Sequence, residues 1–499
     1  MGTQRLSSKS PLQDNARKAG KLVSTPILAV ILVLVLSILS MHPPLVRAAE
    51  LHVGPGQAYA TIQAAVTAAS PGDTITVHPA TYDEQVVVGK GLIIQGYGDT
   101  TIVKPSSAAT LTQVFDGLFW YGTPNTKQIA GIIVANVPDG SSVTIKYLKV
   151  DESSVTTKPA GADYLAGIFY RETGGTVDTV TIVGGGAWSD SDRAYGMYLS
   201  AATNTVSVEV KGSTITNFDK NGIEADGNKL TVNVHHNTIT GRGPTLSGDE
   251  VQNGVYVGRD AVGTVNHNTI SSLAYQPETS WAAAIMFYHY VSPTGKSAAA
   301  NGNTITNCQI GIIFKNANGV AQGNTVSGGT VGLIGIYAEP NYAGPSYTAD
   351  FVGNTVSGVR DTGSYQNAAI GANTYATLTP GTGASLTVTI ESNQLTSGST
   401  SADGIIIGGT AGSVVATIKN NKISNWQHGI SLKSSSVGGA TIVGNTVQNN
   451  LAAGSGIRVE AGVNAANVHA NFNNIVSNTG TGVFGVSNGG TGTLDAENN

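Results

Sequence analysis

The sequence predicts an all-β fold, namely a right-handed, single-stranded parallel β-helix (β-solenoid) with a short N-terminal capping helix. Three observations support this prediction. Only 11% of the 499 residues are charged, while glycine contributes 64, a composition that suits strands and tight turns rather than surface helices. Two short motifs recur along the chain with a similar period. One amphipathic helical segment precedes them.

The first recurring motif is Asn-Thr-Ile or a close variant. Its spacing varies from 21 to 39 residues, and its first residue lies at Ser213, Asn237, Asn268, Asn303, Asn324, Asn354, Asn393, Asn421, Asn445 and Asn473. The shortest spacings fit one coil of three short strands, and the longer ones fit the same coil with loops inserted at a turn. We expect the Asn side chains to hydrogen-bond along a ladder and the inward Ile, Val and Leu residues to form the core.

The second motif is a small residue followed by alternating apolar and variable positions. It occurs at Gly167, Gly196, Gly222, Gly254, Ala284, Gly311, Gly335, Ala369, Gly404, Gly429, Gly456 and Gly482. Alternation predicts that the residues two and four positions later face outward. Stacking would place equivalent positions of successive coils about 4.8 Å apart, so that they form columns on one face.

The helical segment spans Tyr59 to Ala69, and its apolar residues share one face. We predict that this helix covers the open end of the sheet stack. Strand-like runs follow at 71–77, 85–88 and 91–95. The predicted organisation is a signal peptide over 1–48, an N-terminal cap and first coil over 49–103, and a β-helix over 104–499 that ends within a further coil.

The N-terminus is typical of an export signal, with basic residues before an apolar run from Ile27 to Met41 and a small-residue cleavage site at 46–48. The run is about fifteen residues, whereas a membrane span needs roughly 20; an uncleaved anchor is the alternative. Removing residues 1–48 would take away six basic residues and one acidic residue, changing the net charge from −5 to −10. Such a charge argues against nucleic acid as a partner. We expect a secreted or cell-surface monomer that does not associate with the membrane after cleavage.

Four segments near the N-terminus, Tyr59–Ala65, Gly72–Ile75, Tyr82–Glu84 and Gly91–Gly96, resemble the opening of pectinesterase-like proteins. The later coils resemble the right-handed β-helix repeats of the pectin lyase-like superfamily. This resemblance implies the β-helix fold and a choice among polysaccharide lyases, esterases, hydrolases, epimerases, adhesins and structural solenoids. Pectinesterase active-site motifs are absent after Gly96. The segment 427–431 is similar to a signature of polygalacturonase-like hydrolases, but the paired aspartates and the Arg-x-Lys motif of that family are missing at matching coils.

The outward columns between Phe169 and Glu339 combine aromatic rings with acidic and basic side chains, in a chain with only 11% charged residues. Aromatic rings stack on sugar rings, and charged groups bind hydroxyls or uronate carboxylates. We therefore predict a polysaccharide-binding surface formed by Arg171, Tyr198, Tyr256, Arg259, Tyr288, His289, Lys315, Tyr337 and Glu339. The plainer alternative is that these side chains only stabilise an exposed sheet.

Glu224 and Asp226 are the candidate catalytic residues. They lie two positions apart on one strand, which predicts carboxyl groups about 6 to 7 Å apart, a distance compatible with glycoside hydrolysis by two carboxylates. Ordinary solvated acids are the alternative. No metal site is predicted; Ca²⁺ bound by Asp190, Asp192, Asp249 and Asp260 is an alternative, although no run has a fixed Ca²⁺-loop spacing.

The single cysteine, Cys308, excludes an internal disulfide and a cysteine-based metal site. Taken with the outward columns, the sequence predicts an extracellular β-helix that binds a pectin-like or uronate-like polysaccharide. If it is an enzyme, it would be a polysaccharide lyase or a glycoside hydrolase. The alternative is a non-catalytic cell-surface adhesin or structural solenoid.

Overall fold

The computed structural model describes residues 47–117, 127–185, 193–247, 249–276, 278, 280–289, 297–341, 346–360, 367–374, 383–397, 401–451, 454–476 and 484–499. Ala49–Asn499 forms one compact unit. The predicted signal peptide lies almost entirely outside the described residues and stays a prediction. Among the described residues, no helix has the length and apolar character needed to cross a membrane.

The unit is a parallel β-helix built from three long sheets, which we call A, B and C. The strands of sheet A are Glu50–Val53, Thr74–Val77, Ile93–Gln95, Val143–Lys146, Gly175–Asp178, Val206–Lys211, Leu230–His235, Val262–Asn266, Ser297–Asn301, Asn318–Gln322, Ser346–Val352, Ser385–Glu391, Ser413–Lys419, Val437–Val443 and Val468–Asn471. The strands of sheet B are Ala80–Tyr82, Thr101–Val103, Lys149–Asp151, Thr181–Val183, Thr214–Thr216, Thr238–Thr245, Thr269–Tyr275, Thr304–Cys308, Thr325–Gly332, Thr355–Val359, Gln394–Thr396, Lys422–Ser424, Thr446–Gln448 and Asn474–Val476.

The parallel strands of sheet C are Val86–Val88, Lys127–Asn136, Tyr164–Arg171, Arg193–Ser200, Asn221–Asp226, Asn253–Gly258, Ala283–Tyr288, Ile310–Lys315, Ile334–Ala338, Ala368–Thr374, Asp403–Gly409, Ile430–Leu432, Ser455–Val459 and Phe484–Asn488. Phe115–Gly117 pairs antiparallel with Lys127–Asn136. From Val143 onward the strands follow one another in the order A, B, C, so that each coil contributes one strand to each sheet. Parallel crossovers of this kind are right-handed, and the predicted fold class is confirmed.

The helix α1 spans Ile62–Ala68, with short 3₁₀ turns at Ala108–Thr110 and Ala465–Asn467. It starts three residues later than predicted because Thr61 caps it, its side chain accepting a hydrogen bond from the Ala64 backbone N–H. The carboxylate of Glu84 accepts two further N–H groups of the first turn. The buried face of α1 packs against the first two strands of sheet A, Glu50–Val53 and Thr74–Val77, and the first strand of sheet C, Val86–Val88, as the predicted cap requires.

The core lies inside the coils and consists of stacked aliphatic columns. In the middle strands of sheet B one aliphatic residue per coil points inward and is at most 2% exposed; these residues are Ile182, Ile215, Ile239, Ile270, Ile305, Val326, Val356, Leu395, Ile423 and Val447. Burying each such side chain contributes about 1.5–3 kcal/mol. Stacking therefore supplies the stability that no disulfide provides.

The asparagine ladder forms as predicted at the turn between sheets A and B. The amide oxygen of Asn268 accepts hydrogen bonds from the backbone N–H and the side-chain amide of Asn237, at 2.9 and 3.0 Å. Asn237 also donates to the carbonyl oxygen of Val210, at 2.9 Å. The same arrangement repeats through every asparagine of the first motif and continues to Asn499.

The register of sheet C matches the predicted columns over most of its length. Phe169, Tyr198, Glu224, Tyr256, Met286, Ile313 and Tyr337 are successive pairing partners. Ile406, Ser431 and Arg458 continue the column after Gly371. The last coil differs, because Arg458 pairs with Ser487 and the predicted member Phe484 pairs with Ser455.

Candidate functional site

The outer face of sheet C is covered, in contrast with the outer face of sheet A. In Leu230–His235 of sheet A, buried and exposed residues alternate. In Asn221–Asp226 and Asn253–Gly258 of sheet C, every residue is buried. The predicted site residues do point away from the coil core, but the expectation that they lie on a solvent-exposed sheet face is wrong for most of them.

Two hydrophobic clusters outside the coil core explain part of this burial. The first cluster comprises Ile129, Val134, Tyr164, Ala166, Phe169, Tyr195 and Tyr198, with Val87 and Phe115 against it. The second comprises Ala283, Ile310, Ile313, Leu333, Ile334 and Tyr337, with Trp281 and Met286 against it. Apolar residues that face outward on these coils are therefore buried, because other side chains of the same cluster cover them.

Glu224 and Asp226 lie between the two clusters and are 6% and 1% exposed. Tyr198 from the preceding coil donates a hydrogen bond to Asp226 Oδ2 at 3.0 Å, and the Asn221 side chain donates to Glu224. The two carboxyl groups interact electrostatically, since the charge of Asp226 acts on Glu224. The predicted separation of about 6 to 7 Å stays a prediction.

Burial is the main influence on this acid pair. It raises the pKa of Glu224, and the adjacent Asp226 carboxylate raises it further. Burial also raises the pKa of Asp226, although Arg259 and the Tyr198 hydrogen bond oppose that shift. Two neighbouring carboxyl groups cannot both ionise easily. The pair therefore retains a proton at pH values well above the usual pKa of a carboxyl group.

Tyr256 and Arg259 lie on the next coil. The ring of Tyr256 lies over Gly258, at a distance that a Cβ atom would not allow, and the side chain is 5% exposed. Arg259 and Asp260 have positive φ angles of 45° and 65°, so the chain turns sharply away from the sheet after the strand. Arg259 is partly exposed and lies near enough to Asp226 to lower the pKa of that carboxyl.

Lys315 is the centre of a second polar group, two coils further along. Its ammonium lies 5.1 Å from the ring centroid of Tyr288, 5.4 Å from that of Trp281 and 3.3 Å from Glu339 Oε1. Such placement over aromatic faces is a cation–π geometry. Burial raises the pKa of Glu339, and the charge of Lys315 opposes that shift. The Lys315 side chain is 20% exposed, so the cation can still meet a ligand.

Tyr337 joins the same group through its ring. The ring lies over Gly371 and meets Trp281 edge to face, with centroids 6.0 Å apart. Asn373 donates a hydrogen bond to the Tyr337 hydroxyl at 2.7 Å. Tyr337 is only 2% exposed, so it supports Trp281 rather than offering a free face of its own.

Arg171 lies apart from these groups, whereas His289 directly follows Tyr288. Arg171 donates to the Asp116 carbonyl oxygen at 2.9 Å and to Asn136 Oδ1 at 3.2 Å, two strands from Asp226. His289 is 1% exposed, and its Nδ1 lies 3.9 Å from Asp260 Oδ1. Their predicted roles in substrate binding stay predictions.

Four residues of these groups were missed by sequence reasoning. Asn221 and Asn253 precede the small residue of their coils, and Asn253 donates to Asn221 Oδ1 at 2.9 Å. A third outward column at that position would have identified both. Asn373 lies on the coil of Ala369, which did not fit the pattern. Trp281 lies just before its strand and follows no repeat.

The described residues contain no group of three or more His, Cys, Asp or Glu side chains placed to hold a metal ion. Of the acids considered for Ca²⁺, Asp190 and Asp192 lie outside the described residues. His235 is the last residue of a sheet A strand, and its ring nitrogen contacts Glu209 at 3.1 Å.

No protein-family model matches this chain, and no curated protein matches it in sequence. Several solved structures are similar to it. A tailspike protein of an E. coli bacteriophage, solved with a hexasaccharide, is 13% identical to this chain. The alignment covers 86% of this chain and 74% of that chain, with a TM-score of 0.46. A mannuronic acid-specific family 6 polysaccharide lyase from human gut microbiota is 11% identical, with 80% and 86% covered and a TM-score of 0.43.

The A-module of an Azotobacter vinelandii mannuronan C-5 epimerase is 15% identical, with 88% of this chain and 95% of that chain covered and a TM-score of 0.39. Function must therefore be argued from the residues of sheet C themselves.

Proposed function

We propose that this chain binds an acidic, uronate-containing polysaccharide outside the cell, along the outer face of sheet C. The observation that carries the proposal is the alignment, over the coils from Tyr198 to Glu339, of a proton-sharing acid pair, partly exposed cations and aromatic rings. A polymer with a repeating unit matches columns of side chains that repeat at strand spacing.

Arg259 and Lys315 would bind the carboxylates of the polymer. Both cations are partly exposed, and charge-assisted hydrogen bonds to carboxylates are among the stronger polar contacts. Trp281 is also partly exposed and would stack against the apolar face of a sugar ring. Lys315 lies against that ring, so one subsite would combine stacking with charge neutralisation.

If the chain is an enzyme, one candidate reaction is elimination by the acid pair. Glu224 and Asp226 lie on one strand, and the charge of Asp226 raises the pKa of Glu224. A pair that shares one proton can accept a proton and return one. It would take the proton from C5 of a uronate, a C4–C5 double bond would form as the C4–O bond breaks, and the departing oxygen would be protonated.

A non-catalytic solenoid is the second candidate, and the depth of burial favours it. Glu224 and Asp226 are almost entirely covered, and each accepts a hydrogen bond from a neighbouring side chain, as in a structural network. Such a protein would act as an adhesin or spacer, with sheet C sealed.

A glycan array with the chain lacking residues 1–48 separates the two candidates. Wild type should bind acidic glycans, and an Arg259→Gln/Lys315→Gln variant should lose that binding. The matched control is Lys211→Gln/Lys419→Gln, which removes two cations from partly exposed ion pairs on sheet A and should bind like wild type. Absence of glycan binding by wild type would favour the solenoid.

Catalysis is tested by ultraviolet absorbance from unsaturated uronate products, with and without Ca²⁺. Glu224→Gln and Asp226→Asn should each abolish the signal. Each variant replaces a carboxyl group, which can accept and return a proton, with an amide of similar shape that cannot. Unchanged product formation in both variants would reject the acid pair as the catalytic group.

A further inference from the structure

A further polar group, formed by His428, Ser431 and Arg458, lies on the outer face of sheet C. It follows the coils that carry Lys315 and its aromatic neighbours. Ser431 and Arg458 are pairing partners on neighbouring strands, and His428 precedes the strand that carries Ser431. Lys433 follows on the same coil, with its ammonium 2.9 Å from Asp403 Oδ2. Seven strand steps separate this group from Glu224, a distance of about 34 Å along the helix axis.

The hydrogen bonds around His428 leave two donors facing each other. The Ser455 backbone N–H points at His428 Nδ1 at 2.9 Å, and Arg458 Nη1 lies 2.7 Å from His428 Nε2. A neutral imidazole has one acceptor nitrogen, and a guanidinium only donates. Burial lowers the pKa of His428, so the ring is neutral near pH 7. With Nδ1 accepting from Ser455, the Nε2 proton faces an N–H of Arg458.

Ser431 adds a third donor, on the strand next to that of Arg458. Its side chain is fully buried, and within the described residues its hydroxyl has no hydrogen-bond partner. Buried polar groups without partners are rare and call for an explanation. Arg458 has a partner in Glu460, but at 3.6 Å, and the Arg458 side chain is 42% exposed. The group therefore has donors in excess and opens to solvent at the guanidinium.

We propose that His428, Ser431 and Arg458 bind the carboxylate of an acidic sugar residue. One carboxylate oxygen would accept from His428 Nε2 and Arg458, which supplies the acceptor missing between them, and the other would accept from Ser431. The inference rests on the proposed function, because the same polymer must extend along sheet C to reach this group.

The test is fluorescence anisotropy of a labelled oligogalacturonate and of its fully methyl-esterified form, which keeps the sugar rings and loses the charges. Arg458→Gln and Ser431→Ala should each weaken binding of the acidic oligomer, the former about tenfold, and should leave the ester unaffected. Lys419→Gln is the matched control, since it removes a cation on sheet A. Ser431→Ala removes only a hydroxyl, so the fold is spared; circular dichroism checks each variant.

Equal binding of the acidic and esterified oligomers, or no effect of Arg458→Gln, would overturn the carboxylate site and leave the proposed function standing. Sodium sulfate that competes as well as sodium glucuronate at matched ionic strength would also overturn it, because the site would then take any anion. If wild type binds neither oligomer, the proposed function fails and this inference fails with it.

Discussion

The asparagine ladder and the outer face of sheet C are both rich in polar groups, but they differ in repetition. The ladder uses one residue type in coil after coil, and each amide oxygen accepts from the asparagine before it. The outer face of sheet C uses a different side chain in almost every coil, including titratable groups whose hydrogen bonding is incomplete, such as Asp226 and Glu339.

The difference distinguishes structural polarity from candidate functional polarity. Repeated residues with satisfied hydrogen bonds are what stacking alone requires. Residues that break the repeat and carry excess donors or protons are not required by stacking, and such violations of local consistency concentrate at functional sites. Variants at Asn354, at the acid pair, at Lys315 and at Lys419 test whether repeated and unrepeated polar groups differ in this way.

Asn354→Ala should be strongly destabilising, by about 3 kcal/mol or more. It removes the acceptor of the Asn324 backbone and side-chain amides and the donor to the Ala321 carbonyl. Differential scanning calorimetry measures the effect, and Thr355→Ala, at the exposed neighbouring residue, is the control. Equal melting temperatures for the two variants would remove the structural role of the ladder.

The acid pair should make wild type less stable as the pH rises from about 4 toward neutrality. The folded-state pKa values of Glu224 and Asp226 are raised, so the folded state binds more protons than the unfolded state in that window, and unfolding free energy falls with pH. Each unit of raised pKa corresponds to about 1.4 kcal/mol.

A Glu224→Gln/Asp226→Asn variant has no titration at this pair and should lose that slope. Urea unfolding between pH 4 and 7 measures the free energy of unfolding of both proteins. Carboxyl groups with a lowered pKa, such as Asp73 and Asp83, contribute equally to both proteins and cancel in the difference. Parallel curves for the two proteins would show that the pair ionises as in the unfolded chain.

Lys315→Gln should lower the affinity for an acidic oligosaccharide about tenfold, since it removes one charge-assisted contact. Isothermal titration calorimetry measures the affinity. Lys315→Arg keeps the cation between Trp281 and Tyr288 and should retain most of it. Equal affinities of wild type and Lys315→Gln would count against a subsite formed by Lys315, Trp281 and Tyr288.

Lys419→Gln should change stability by less than about 0.5 kcal/mol, because ion pairs of this kind on a sheet surface contribute little. Its partner Glu391 lies 3.0 Å away on the neighbouring strand of sheet A. Urea denaturation tests this. A larger loss would mean that repeated surface pairs also stabilise the coils, which would weaken the contrast drawn above.

The fold could be predicted from sequence because its determinants repeat. The asparagine positions fix the turn between sheets A and B, and the small residues fix the columns of sheet C, so the partners of Glu224 could be named in advance. Alternation also gave the correct direction for Tyr198 and Tyr337. Those predictions depend only on strand geometry and stacking.

The candidate site could be predicted only in part, because its environment comes from residues outside the repeat. Phe115 and Trp281 lie in insertions, and their packing against the outer face follows from no periodic pattern. The raised pKa of Glu224 comes mainly from burial, which strand spacing does not reveal. Trp281 could have been noted as an unrepeated aromatic residue immediately before a sheet C strand.

Hydroxyl-radical footprinting with a bound acidic oligosaccharide tests most directly whether the outer face of sheet C is the contact surface. Trp281 and Met286 are partly exposed on that face, whereas Tyr97 and Phe472 are exposed elsewhere at 53% and 65%. We expect ligand to reduce oxidation of Trp281 and Met286 and to leave Tyr97 and Phe472 unchanged. Undiminished oxidation of Trp281 and Met286 at saturating ligand would contradict the account.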